Sequence, residues 1–118
     1  MTKQSSKQAK GAPRPGARVR GSSTGRPVMA LLDLIGRRWV LRILWELRDE
    51  PLNFRELQAA CGGISPSVLN TRLAEMREAL LVELKAEEGY TLTKMGRELL
   101  SQLTPLTVWS EKWAKTLG

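Results

Sequence analysis

The 118-residue chain contains no histidine and a single cysteine, Cys61. Without histidine, the Ser–His and Cys–His pairs of nucleophilic enzymes are excluded. One cysteine permits no internal disulfide, which fits a reducing compartment, and it leaves too few ligands for a structural zinc site. The stretch "CGGIS" lacks the lysine and the spacing of a phosphate-binding loop. We therefore expect a protein that is not an enzyme and that uses no metal or other cofactor.

Long apolar runs are also missing. No stretch of about 18 uncharged apolar residues is present, so the sequence predicts no membrane-spanning helix and no membrane partner. The N-terminus has no apolar segment of the secretory-signal type. We expect the protein to be cytoplasmic. We also expect one domain, because 118 residues suit a single hydrophobic core.

Acidic residues are absent from the first 27 positions. Seven of the 19 basic residues lie there, so the remaining positions hold 12 basic and 12 acidic residues, and the whole net charge of +7 belongs to this segment. Its Gly, Pro, Ser, Lys and Arg cannot bury enough apolar surface to order it, so we expect a disordered basic tail over residues 1–27. Such an arm favours a polyanion, most often nucleic acid. The alternative is a solubilising tail without a specific partner.

Two apolar segments open the folded part, which we expect to span residues 28–118 and to begin near Pro27. "VMALLDLIG" predicts a short helix that ends at Gly36. "RRWVLRILWEL" predicts a core helix, because Trp39, Ile43 and Leu47 share one face.

Two further helices follow in close succession. "NFREL" carries a capping-box pattern that starts at Asn53 and predicts a helix over residues 54–60. Ser65 is the expected cap of the next helix, with Pro66 at its first position and its end near Ala79. Two short helices joined by a turn that contains glycine form a helix-turn-helix pattern.

The chain then changes character. "LLVELKAEEGYTL" predicts a hairpin, with strands over Val82–Lys85 and residues 90–92. Thr93 is the expected cap of a long last helix that Pro105 kinks or splits. The order of elements predicts a mainly α fold with a small two-stranded β-hairpin, a winged helix-turn-helix.

The helix over residues 65–79 has two different faces. Leu69, Leu73, Met76 and Leu80 are expected to form its inward stripe. The opposite face is expected to show Ser67, Asn70, Thr71, Ala74, Glu75 and Glu78, with Arg72 at its flank. Small polar side chains at the positive end of a helix suit insertion into a DNA major groove, where Arg favours guanine and Asn favours adenine. The plainer interpretation is a solvated face with an ordinary Ser-Pro start.

Several motifs resemble one protein family. "LLDLIGRRWVLRILWEL", "NFREL", "GISPSVLNTRLAEM" and "YTLTKMGRELL" are similar, in order and spacing, to the HxlR-type winged-helix transcription regulators of the MarR-like superfamily. The resemblance covers about residues 27–113. It implies a cytoplasmic homodimeric repressor or activator of transcription. Its first and last helices would form the dimer, and the helix over residues 65–79 would recognise a two-fold operator in double-stranded DNA.

The resemblance also assigns site residues. The residues expected to contact DNA are Ser65, Ser67, Asn70, Thr71, Arg72, Asn53, Arg55, Arg38 and Lys85. The residues expected in the dimer interface are Leu31, Leu34, Leu103, Leu106, Trp109 and Trp113.

The chain departs from the family at four places. Some members sense oxidants or electrophiles with a cysteine before the Pro-Val of the first helix; here that residue is Arg26, so this chemistry is absent. Cys61 stands at a position that is usually apolar in the family, and we interpret it as a small core residue. Ser67 replaces a common lysine, and the short wing carries the acidic Glu87 and Glu88 at its tip. We therefore hypothesise that the basic tail supplies the phosphate contacts that the wing has lost.

Other functions stay open. The neutral folded part favours a winged-helix module that binds a protein partner and contacts nucleic acid only without specificity. An architectural or RNA-binding role of the tail is a third hypothesis. Trp45 could cover the dimer seam, line a pocket for an unknown small-molecule effector, or lie partly exposed, with packing as the simpler interpretation.

Overall fold

The structure is a computed structural model that describes residues 11–17 and 25–118. In this part of the chain six helices surround a two-stranded antiparallel sheet. The helices are α1 (Pro27–Ile35), α2 (Val40–Glu46), α3 (Phe54–Cys61), α4 (Pro66–Glu78), α5 (Lys94–Leu103) and α6 (Pro105–Leu117), and the strands are β1 (Val82–Lys85) and β2 (Gly89–Leu92). The predicted mainly helical fold with one small hairpin is confirmed. None of the described helices is both long and apolar enough to cross a membrane.

The predicted tail falls only partly within these residues. Positions 1–10 and 18–24 lie outside the described residues, so the prediction of disorder is not tested there. Residues 11–17 are described, and their contacts with the folded domain are given below. The first helix begins at Pro27 itself, one residue before the predicted domain boundary.

Side-chain caps set the starts of three helices. The Asn53 side chain accepts a hydrogen bond from the Glu56 amide at 2.8 Å, and the Glu56 carboxylate accepts one from the Asn53 amide at 2.9 Å. Ser65 and Thr93 cap α4 and α5 by accepting hydrogen bonds from amides three residues further on. Each cap satisfies amides that a helix leaves unpaired at its start. The predicted starts of α3, α4 and α5 are thus confirmed.

The connection between α1 and α2 is tighter than the sequence suggests. Gly36 follows α1 in a right-handed conformation, and the left-handed residue is Trp39, with φ of 80°. A left-handed conformation costs a residue with a side chain roughly 1–2 kcal/mol. The Trp39 ring packs against the core and the Arg38 guanidinium lies 5.3 Å from its centroid, which offsets that cost. Helix α2 therefore begins at Val40, later than the apolar pattern predicts.

The core lies between α1–α4 and the hairpin. Of the inward stripe predicted for α4, Leu69, Leu73 and Met76 are fully buried, but the prediction for Leu80 is wrong: it lies beyond the helix end in a left-handed conformation and is 68% exposed. The other buried members of the core are Leu34, Val40, Ile43, Leu44, Leu47, Leu57, Cys61, Ile64, Leu81, Val82, Tyr90 and Leu92. Because one continuous cluster joins these elements, α4 has a fixed position on the domain.

A third segment pairs with the hairpin beside β2. The amide and carbonyl groups of Leu52 exchange hydrogen bonds with those of Tyr90 at 3.0 and 2.8 Å. This approach requires glycine at the start of β2, because a Cβ on Gly89 would lie 2.6 Å from the Leu52 carbonyl group. The sequence pattern did not predict this bridge.

The last two helices differ in burial. Thr104 keeps right-handed helical angles, and Pro105 opens α6, so the predicted split at the proline is confirmed. Leu99, Leu100 and Leu103 of α5 pack against the core. All 13 residues of α6 are exposed. Helix α6 thus extends from the domain with its apolar side chains uncovered by the described part of the chain.

Cys61 lies in the core at the end of α3, with an exposure of 1%. Burial raises the pKa of its thiol, the nearby Arg42 lowers it, and the nearby Glu46 raises it further. A thiol with a raised pKa stays protonated at neutral pH and is a poor nucleophile. The structure therefore supports the interpretation of Cys61 as a packing residue.

We expect Cys61 to be protected in the native protein. At about pH 7.5, a thiol-reactive disulfide reagent should modify native protein at least 100-fold more slowly than urea-unfolded protein, because the reagent requires an accessible thiolate. Absorbance of the released thiolate measures the rate. Equal rates in the native and unfolded protein would contradict the buried position.

Gly96 gives a second test of the packing. A Cβ at this position would overlap the backbone carbonyl oxygen of Leu81, because the start of α5 lies directly on the segment that joins α4 to β1. Gly96→Ala should lower the free energy of unfolding by about 2–3 kcal/mol, since neither backbone can move without disturbing the core. Helix propensity alone predicts the opposite sign, a gain of about 1 kcal/mol. Urea unfolding distinguishes the two, with the exposed Ser101→Ala as the control on the same helix.

Candidate nucleic-acid interface

The amino-terminal half of α4 presents small polar side chains. Ser65, Ser67, Asn70 and Thr71 are all exposed, and Ala74 continues the same side one turn later. Ser67, Thr71 and Ala74 follow helical spacing, and Asn70 lies beside them. Four of the five residues predicted on this helix are therefore brought together on one uncovered surface, which we call the recognition face.

Arg72 is placed differently from those four. Its Nε donates a hydrogen bond to the carbonyl oxygen of Arg38 at 2.8 Å, and its Nη1 donates one to Glu75 at 3.2 Å. Its side chain is only 21% exposed. The guanidinium thus joins α4 to the connection between α1 and α2. To reach a base edge it would have to break both hydrogen bonds, which argues against the predicted role in guanine recognition.

Glu75 was predicted on the exposed face, and this is wrong. The residue is 1% exposed. Its carboxylate accepts hydrogen bonds from Arg37 at 2.8 Å and from Arg72 at 3.2 Å. Arg37 also donates to Asp33, which is itself buried, at 3.2 Å. We refer to Asp33, Arg37, Arg72 and Glu75 as the charge cluster.

The charge cluster explains how α4 is held. Its apolar stripe packs on the core, and Glu75 faces Arg37 and α1 on another side. A buried carboxylate without partners would carry a desolvation penalty of several kcal/mol. The two guanidiniums offset that penalty only in this arrangement, so they fix the rotation of α4 about its axis. The recognition face points outward as a consequence.

Basic and polar side chains flank the recognition face. Asn53 and Arg55 are exposed at the start of α3. Arg38 is exposed before α2, and its carbonyl oxygen accepts the hydrogen bond from Arg72. Within residues 11–17 and 25–118, Arg55 pairs with no acidic side chain. Lys85 is exposed at the end of β1, where it opposes Gly89. Lys85 therefore belongs to the wing, apart from the other three.

The wing tip is short and acidic. Lys85 is followed by a tight turn in which the Glu88 amide donates to the Lys85 carbonyl group at 3.1 Å. Glu87 adopts a left-handed conformation at the tip, and both glutamates are exposed. Two carboxylates and one lysine give the tip a net negative charge, which phosphate repels.

The residues predicted for a dimer interface fall into two groups. Leu34 is wrong as an interface residue, because it is 4% exposed and belongs to the core of the single chain. Leu31 and Leu103 are half-buried, so part of each is already used within the chain. The exposed members are Leu106, Trp109 and Trp113, all on α6. The two tryptophan rings stack with centroids 6.0 Å apart.

Trp45 is partly exposed on α2. The Arg48 guanidinium lies 3.9 Å from the centroid of its ring, which is cation–π geometry. This contact covers one ring face and leaves an apolar edge at the surface.

Comparison with known proteins agrees with this architecture. Residues 34–117 match the family model for the HxlR-like helix-turn-helix. The chain is 28% identical over 88 residues to an uncharacterized HTH-type transcriptional regulator, YvaP, of Bacillus subtilis, covering 70% of this chain and 82% of the relative. It is 33% identical over 88 residues to another, BH0655, of Halalkalibacterium halodurans, covering 69% of this chain and 78% of the relative.

A solved structure shows the same fold. The crystal structure of quinone-bound YodB from B. subtilis superimposes with a TM-score of 0.68 and 29% identity, over 72% of this chain and 94% of that chain. The helix-turn-helix formed by α3 and α4, with the hairpin as its wing, is thus shared with these proteins. From the family match and this agreement of folds, the chain belongs to the HxlR-like helix-turn-helix family of transcriptional regulators.

Proposed function

We propose that this regulator binds double-stranded DNA with sequence specificity and inserts the recognition face of α4 into the major groove. The observation that carries the proposal is the exposure of Ser67, Asn70 and Thr71 at the amino end of a helix whose rotation is fixed from behind. Because these side chains are small, the helix backbone can approach the base edges closely.

The chemistry of the recognition face favours base edges over phosphates. The Asn70 side chain can form a bidentate pair with adenine, in which Nδ2 donates to N7 and Oδ1 accepts from the N6 amino group, and the hydroxyls of Ser67 and Thr71 can donate or accept. The free amides at the start of α4 add a positive potential. Arg72 has a different role in this proposal: it positions the helix from its flank and contacts no base.

Phosphate contacts surround this face. We assign them to Asn53 and Arg55 at the start of α3, to Ser65 at the start of α4 and to Arg38, with the basic tail adding further charge. Lys85 is the one candidate on the wing, where the neighbouring glutamates weaken its attraction for phosphate. A folded part with equal numbers of acidic and basic residues gains little from long-range attraction, so the tail matters for affinity.

We further propose that the protein is a homodimer that binds a pseudo-palindromic operator. Leu106, Trp109 and Trp113 present an apolar surface on α6 that the described part of the chain leaves uncovered. Large exposed apolar patches of this kind mark interaction surfaces. Two copies would place two α4 helices on successive turns of the major groove.

A DNA-binding regulator of this family works where the chromosome is, so we propose a cytoplasmic location. YodB was crystallised with a quinone. For this chain we propose at most a small-molecule effector that binds non-covalently. The residue before Pro27 is Arg26 and not a reactive cysteine, and the Cys61 thiol is buried.

The second candidate is a winged-helix module that holds another protein. The exposed apolar surface of α6 favours it, because such a surface serves a different protein as well as a second copy. The two candidates differ in whether the recognition face carries sequence preference.

Asn70→Ala combined with Thr71→Ala tests the recognition face. Selection of duplexes from a random pool by the unmodified protein should yield an inverted repeat. The double variant should bind that duplex about 10- to 100-fold more weakly, because it loses its base contacts, while binding to a scrambled duplex stays unchanged. Fluorescence anisotropy measures both affinities, and the exposed pair Ser101→Ala and Gln102→Ala on α5 is the control. A pool without any enriched sequence would instead support the interaction module.

Trp113→Glu tests the dimer. A charge in the centre of the α6 surface should convert the protein to a monomer in sedimentation velocity at micromolar concentration, because an unpaired charge is not tolerated in an apolar interface. Lys112→Glu introduces the same side chain at the next position and should leave the dimer intact. A Trp113→Glu protein that still sediments as a dimer would show that another surface joins the subunits.

A further inference from the structure

Residues 11–14, which we call the docked segment, lie against the carboxyl end of α4. The carbonyl oxygen of Gly11 accepts a hydrogen bond from Arg37 at 2.7 Å, and the amide of Ala12 donates one to Glu78 at 3.3 Å. Ala12 and Pro13 are half-buried, although the segment has no large apolar side chain. Part of the segment that was expected to be a disordered basic tail is thus attached to α4.

The contact with Arg37 makes the attachment specific. Arg37 is 13% exposed and already donates to Asp33 and Glu75. Its Nη1 donates to Glu75 and also to the Gly11 carbonyl oxygen, so the docked segment supplies an acceptor to the buried charge cluster. A nearly buried guanidinium gains from each additional acceptor, because water cannot reach it freely.

The docked segment brings Arg14 to the end of the recognition face. Glu78 lies seven residues after Thr71 and four after Ala74, so the three share one side of the helix. The Arg14 guanidinium lies 3.9 Å from the Glu78 carboxylate, and their side chains are 71% and 46% exposed. Without Arg14, this helix would leave the groove with an unbalanced carboxylate near the phosphates.

We propose that Arg14 is a DNA-contacting residue that the docked segment positions for a phosphate at the carboxyl end of α4. An ion pair as exposed as Arg14–Glu78 contributes about 0–1 kcal/mol, so the guanidinium can turn from the carboxylate toward a phosphate at little cost. Beside Glu78 it also lowers the repulsion between that carboxylate and the DNA. This inference rests on the proposed function, since it concerns the same complex.

The first test removes the charge. Arg14→Ala should weaken binding to the selected duplex several-fold at low salt and should flatten the slope of log affinity against log salt by about 0.9, the loss of one phosphate contact. Arg14→Lys keeps the charge and should retain most of the slope. The matched control is Arg97→Ala, which removes an exposed arginine from α5 and should leave the slope unchanged. A slope for Arg14→Ala equal to that of the unmodified protein would overturn the proposal.

The second test asks whether the attachment positions Arg14. Glu78→Ala removes the acceptor of the Ala12 amide, so in the DNA-free protein the Ala12 amide resonance should shift. In the Glu78→Ala background, Arg14→Ala should change the salt slope by less than half as much as it does in the unmodified protein. An equal effect in both backgrounds would mean that the contacts with Glu78 do not position Arg14, and the proposal would be wrong. Failure of the proposed function has another signature: the unmodified protein would enrich no sequence at all.

Discussion

The Glu75 carboxylate is buried on the side of α4 that faces α1, and its ion pairs set the orientation of the recognition face. Arg37 and Arg72 approach its two oxygens at 2.8 and 3.2 Å. Removing one partner of such a buried pair typically costs about 3–5 kcal/mol. That loss is comparable to the whole free energy of unfolding of a marginally stable small domain. The ion pairs admit one rotation, and that rotation points Asn70 and Thr71 outward.

This use of arginine has a consequence for recognition. A guanidinium is the group best suited to bidentate contact with guanine, but the Arg72 guanidinium of α4 is already hydrogen-bonded within the domain. In the complex proposed above, base contacts then fall to Ser67, Asn70 and Thr71, whose hydrogen bonds are weaker and whose reach is short. Such a face needs accurate placement more than a face with long side chains does. The charge cluster provides the placement, and in the proposed complex the cations of the basic tail provide attraction that does not depend on the base sequence.

Local chemistry made much of the fold predictable, while the errors at Glu75 and Leu34 have a non-local cause. The caps at Asn53, Ser65 and Thr93 and the hairpin strands depend on neighbouring residues, and they were found where the sequence predicts them. A helical wheel assigns burial from apolar spacing, so it placed Glu75 outside. Its burial depends on Arg37, 38 positions earlier in the chain. Likewise, Leu34 looks like an interface residue until the core around it is known. The Leu52–Tyr90 bridge has no local signal either.

Arg37 connects three parts of the molecule that are distant in sequence: Asp33 on α1, Glu75 on α4 and Gly11 of the docked segment. A displacement of the docked segment therefore removes an acceptor from the same guanidinium that holds the recognition helix. The coupling is reciprocal, because any contact that stabilises α4 in its present rotation also stabilises the site where Gly11 docks. Attachment of the basic segment and orientation of the recognition face are thus two effects of one hydrogen-bonded cluster. In a domain whose folded part has no net charge, this cluster links the segment proposed to attract DNA to the surface proposed to recognise its sequence.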